Sequence, residues 1–77
     1  MDKSKLYDIL SEVRPDVAFE QEEGLIDNGL LTSFDLISII SEINEAYEIT
    51  IKMVDILPEN FNSVEAMTRL IEKYLNE

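Results

Sequence analysis

The chain contains no cysteine and no histidine in 77 residues. Without cysteine there is no disulfide framework, no thiolate metal site and no thiol nucleophile. Without histidine the commonest general base and the commonest metal ligand are both missing, so hydrolase or zinc chemistry is not expected of the chain itself, and no metal site is expected. Cations are scarce: six Lys and Arg face 17 Asp and Glu, for a formal net charge of -11. Such a surface repels DNA, RNA and anionic lipid, and attracts protein partners with basic patches. No apolar run approaches the roughly 18–20 residues that span a bilayer, so membrane insertion is not expected. Met1-Asp2-Lys3-Ser4 leads into no apolar stretch and does not read as a signal peptide, which points to the cytoplasm.

Apolar residues are present in quantity. They make up 45% of the chain and recur periodically, which argues for a packed core and against disorder. The length fits one domain over residues 1–77. Leu6, Ile9, Leu10 and Val13 fall at helical spacing, so a first helix is expected from about Asp2 to Val13, ended by Pro15 acting on Arg14. A long connection follows, polar from Asp16 to Glu23 and marked by Gly24 and Asn28-Gly29. Connections of this length are uncommon unless they pack their own side chains or serve a function. Leu25, Ile26, Leu30 and Leu31 are expected to pin it to the core.

The clearest helix runs from Ser33 to Tyr47. Leu36, Ile40, Ile43 and Tyr47 form its apolar stripe, widened by Ile39, while Asp35, Ser38, Glu42 and Glu45 occupy the opposite side. Ser33–Glu48 holds four acids and no cation. Acids stacked on one face repel at a few tenths of a kcal/mol per pair, which makes a purely structural role for them less economical. Ile49, Ile51, Met53 and Val54 read as an apolar connection packed over the core, since no partner strand is evident. Met53 and Met67 read as core filler and Met1 as a start residue. Pro58-Glu59-Asn60 suits one short helical turn. Asn62 to Glu65 fits a capping box, with Ser63 as the alternative cap, and Val64, Met67, Leu70, Ile71 and Tyr74 line a last helix. The expected fold class is therefore all-α, with three main helices and one short one. The acids around Asp27 and Glu20–Glu23 do not match the spacing of a calcium loop.

Chemistry concentrates at Leu31-Thr32-Ser33-Phe34-Asp35-Leu36, where the long connection meets the acidic helix. Backbone N–H groups at a helix start lack intrahelical partners and favour an anion, so a phosphodiester on Ser33 would be stabilised there. Taken alone, Ser33 or Thr32 reads more simply as an ordinary N-cap. The wider run, Gly29-Leu30-Leu31-Thr32-Ser33-Phe34-Asp35-Leu36-Ile37, resembles the modification motif of the acyl carrier protein family. Nearly the whole chain follows the family order, down to Pro58-Glu59-Asn60-Phe61-Asn62-Ser63-Val64-Glu65-Ala66. Ser33 matches the serine that carries 4′-phosphopantetheine, Phe34 the apolar residue after it and Asp35 the following acid. Thr32 stands where that family commonly has Asp. The glycine ahead of the motif is more like D-alanyl and related discrete carriers than fatty acid carriers.

The resemblance implies a small four-helix bundle of acyl-carrier type with a long loop between its first two helices. It implies a non-enzymatic, monomeric phosphoprotein that holds acyl or aminoacyl groups as thioesters. A phosphopantetheinyl transferase would supply the arm from coenzyme A to Ser33. Asp35, Ser38, Ile39, Glu42 and Glu45 are expected to dock basic patches on loading and acceptor enzymes. The competing reading is an unmodified acidic helical adaptor or inhibitor of a basic protein.

Overall fold

The computed structural model describes residues 2–76, so Met1, read as a start residue, and Glu77 lie outside it. Four α-helices appear in order: α1 (Ser4–Val13), α2 (Ser33–Tyr47), α3 (Pro58–Phe61) and α4 (Val64–Leu75), with a 3-10 turn at Met53–Asp55. No strand occurs among the described residues, in line with the all-α expectation. α1 begins two residues later than its periodicity predicts, because the Asp2 carboxylate accepts the Ser4 N–H at 2.8 Å and holds the chain outside the helix. It buries Leu6, Ile9 and Leu10, and packs on α2 and α4, while α3 packs on α4.

α2 has the predicted bounds, but its core face is rotated from the predicted stripe. Ile39 and Ile43 are its buried residues, and Leu36, Ile40 and Tyr47 lie only partly buried beside them. The helix stops at Glu48, which adopts a left-handed conformation (φ 55°) and donates its N–H to the Asn44 carbonyl. Asn44 then extends the stop: its backbone oxygen also accepts from Ile49, and its side-chain oxygen accepts from Ile51 at 3.0 Å.

The 19 residues between α1 and α2 are packed rather than loose. Phe19, Leu25 and Leu31 enter the core, with Val17, Ile26 and Leu30 against it. Asn28-Gly29 closes a one-turn Schellman stop. The Leu30 N–H reaches the Leu25 carbonyl at 3.0 Å and the Gly29 N–H reaches the Ile26 carbonyl at 3.1 Å, with Gly29 at φ 72°. A side chain with a Cβ is disfavoured at that φ, which explains the glycine.

Asn62 anchors this turn from across the molecule. Its Oδ1 accepts the N–H groups of Ile26 and Asp27 at 2.9 and 3.0 Å, its Nδ2 donates to Asp27, and its carbonyl accepts from Leu25. The predicted capping box at Asn62–Glu65 is thus replaced. Ser63 caps α4, accepting the Ala66 N–H at 3.1 Å, and Asn62 is spent on the loop. Pro58 opens α3 at its first turn, as expected. The segment before it departs from expectation. Ile51 is buried, but Met53 is 87% exposed and is not core filler, because the 3-10 turn points it and Val54 outward. That turn is held by Asp55, which accepts the Tyr74 hydroxyl, while the same hydroxyl accepts the Lys52 N–H at 2.9 Å.

Candidate functional site: the first turn of α2

Thr32 is the N-cap of α2, and Ser33 is the first residue inside the helix. The Thr32 hydroxyl accepts the Asp35 N–H at 3.1 Å, and the Asp35 carboxylate accepts the Thr32 N–H at 2.9 Å. This reciprocal box satisfies two N–H groups at the helix mouth. Neither the N–H of Ser33 nor that of Phe34 has an acceptor among the described residues, and the Ser33 hydroxyl makes no hydrogen bond there. Ser33 is exposed. An accessible hydroxyl therefore stands beside two free N–H groups at the positive end of a 15-residue helix. These residues fit a phosphodiester: the oxygen to bear it is not committed elsewhere, and the donors for its charge are in place.

Arg14 joins both ends of the long loop at this point. From the C-cap of α1, its Nη1 donates to the Leu30 carbonyl at 2.9 Å and to Asp35 Oδ2 at 2.8 Å. Nε and Nη2 grip both oxygens of Asp16 at 2.9 Å. The guanidinium holds Asp16 down at about 2 and is itself raised by its two carboxylates. Asp35 lies below its ordinary value, chiefly because it accepts the Thr32 backbone N–H and further because of Arg14. Sequence reasoning passed over Arg14 except as the residue before Pro15. Its signal was isolation: it is the one cation between Lys5 and Lys52 in an acidic chain, so neighbouring carboxylates converge on it.

Of the five residues expected on a docking face, Ser38, Glu42 and Glu45 are exposed. Ile39 is not at the surface; it is wholly buried, because the core-facing side of α2 centres on it and Ile43. Asp35 is only 17% exposed at its side chain, and its carboxylate is engaged by Arg14 and Thr32. What shares the outer face with the two glutamates is apolar: Phe34 is 84% exposed and Ile37 65%. Two large side chains open to solvent on one helix were not anticipated, although Ile37 falls outside the predicted stripe.

Residues 4–71 match the family model described as "Phosphopantetheine attachment site". The chain belongs to this family, that of the acyl carrier proteins. Members of this family are carriers and not catalysts, and the family's cofactor is covalently attached 4′-phosphopantetheine. When bound, that arm supplies the terminal thiol that this cysteine-free chain lacks. Among curated proteins, the chain is 38% identical over 47 residues to aminoacyl carrier protein 1 of Bradyrhizobium diazoefficiens, covering 61% of this chain. The match spans about half, 51%, of that relative's length. No solved structure matches the chain significantly. Carriers of this family work with phosphopantetheinyl transferases and acyl-handling enzymes. Among the described residues, no helix is long and apolar enough to cross a membrane.

Proposed function

We propose that residues 1–77 act as a monomeric carrier domain in which Ser33 bears the phosphopantetheine arm and presents an aminoacyl or other acyl group as a thioester to partner enzymes. The observation that carries this reading is the uncommitted Ser33 hydroxyl beside the free N–H groups of Ser33 and Phe34. In the attachment step Ser33 Oγ attacks the pyrophosphate phosphorus of coenzyme A that bears pantetheine. The bond to the nucleotide breaks, adenosine 3′,5′-bisphosphate leaves, and the transferase takes the hydroxyl proton. The chain orients the oxygen and offers two N–H donors to the new phosphodiester; catalysis belongs to the transferase. The similarity to the Bradyrhizobium aminoacyl carrier protein favours an aminoacyl over a fatty acyl group. Tethering raises the effective concentration of the carried group at each docked enzyme.

Docking is assigned to the outer face of α2: Ser38, Glu42 and Glu45 with Phe34 and Ile37. A complementary partner pairs Lys or Arg with an apolar pocket. Intact mass after incubation with coenzyme A, magnesium and a broad-specificity transferase tests the attachment. One phosphopantetheine addition is expected, abolished in Ser33→Ala and kept in Ser38→Ala and Ser63→Ala. An addition that persists in Ser33→Ala relocates the site; none on the parent with several transferases returns the chain to the adaptor class. Glu42→Lys/Glu45→Lys should slow thioester loading about tenfold at low salt with little change in melting, and the deficit should shrink as salt screens the surface.

A further inference from the structure

We infer that Arg14 is a positioning residue for arm attachment: it offsets the charge of Asp35 and fixes the end of the loop, so that the anionic donor meets a less negative helix mouth at Ser33. The inference rests on the assignment of Ser33 as the attachment site. A phosphate must arrive within two residues of Asp35, in a protein of net charge -11. A bare carboxylate in the first turn opposes a pyrophosphate as a like charge, although it favours the helix itself. The structure resolves this conflict through one guanidinium. Arg14 Nη1 lies 2.8 Å from Asp35 Oδ2, the same oxygen that closes the capping box on the Thr32 N–H. The first turn thereby keeps the carboxylate as a cap while a partly buried cation, shared with Asp16, offsets its charge. The second Nη1 bond, to the Leu30 carbonyl, fixes the chain two residues before the cap. Among the described residues no other cation contacts Asp35, and Nε and Nη2 of Arg14 each donate to Asp16.

The two parts of this role separate experimentally. Transferase kinetics with coenzyme A would be measured on the parent, Arg14→Ala, Arg14→Lys and Arg14→Ala/Asp35→Asn, each with a thermal melt. Arg14→Ala should lower kcat/KM for labelling about tenfold, and Arg14→Lys should recover part of it by restoring charge without the fork. The double variant should recover to within about threefold of the parent, although it melts no higher than Arg14→Ala. A merely structural Arg14 makes rate follow melting temperature, so the double variant would label no faster than Arg14→Ala. That result, or parent-like labelling of Arg14→Ala, overturns the inference while leaving Ser33 as the site. An unlabelled parent removes the carrier assignment and the Arg14 role with it.

Discussion

α2 and α4 start with the same device and use it for different ends. In each a hydroxyl at the N-cap, Thr32 or Ser63, accepts the N–H three residues on at 3.1 Å. The next position is exposed Ser33 in α2 and buried Val64 in α4. Three residues past the cap, Asp35 returns a carboxylate to the Thr32 N–H, whereas Ala66 has nothing to return. The acid of the α4 first turn, Glu65, reaches out to Lys3 at 2.7 Å instead. A serine at a helix mouth is therefore no site in itself. Ser63 is consumed by capping, and what sets α2 apart is a second hydroxyl left over once Thr32 has done that work.

The contrast is broken most strongly by exchanging the residues after the caps. Val64→Ser removes buried methyl groups and inserts a hydroxyl into the core, which should cost about 2–3 kcal/mol. Ser33→Val, the mirror change, should move stability by no more than about 0.5 kcal/mol, because its site is solvent. Urea melts of the two variants give the comparison directly; equal losses would mean that the two helix mouths are buried alike. The caps themselves should look the same by this measure. Thr32→Ala and Ser63→Ala should each cost about 1 kcal/mol. Only Thr32→Ala should also slow phosphopantetheine labelling, since it alone frees the turn that presents Ser33.

Much of this was legible in the chain. The bounds of α2 followed from its periodicity, and Ser33 stood out because a loop, a cap and an acidic helix meet there. What failed has a common physical origin. Periodicity locates a stripe but not which element covers it, so Leu36 and Ile40 looked as central as Ile39 and Ile43. Ile39 was consequently placed on a docking face that it does not reach. Long-range polar bonds leave no mark at short spacing. Asn62 looked like a cap because it precedes α4, whereas its side chain serves a turn 35 residues away. Asp35 looked like a docking acid because nothing nearby in sequence predicts that Arg14, 21 residues earlier, would claim it. Met53 was counted as core on hydrophobicity alone, although exposed apolar side chains are ordinary where a turn points outward.

Acid gives the finest separation of the two helix starts. The α2 box depends on a carboxylate, and the α4 cap on a hydroxyl that does not titrate. Asp35 in the folded chain lies below its ordinary value of 3.8, mainly through the Thr32 N–H and then Arg14. A depressed folded value means that its contribution is complete above about 3.8 and is lost as pH falls through the lower folded value. Global melting is a blunt probe here, because acid also relieves the self-repulsion of a chain with net charge -11. Amide hydrogen exchange, corrected for its intrinsic pH dependence, reads the two sites separately. Between pH 5 and the acid limit of folding, protection at Thr32 should fall first, while Ala66, bonded to the Ser63 hydroxyl, should hold until the whole domain opens. Simultaneous loss at both would show that the Asp35 carboxylate does not secure the mouth of α2, and that the free N–H groups beside Ser33 owe their arrangement to packing alone.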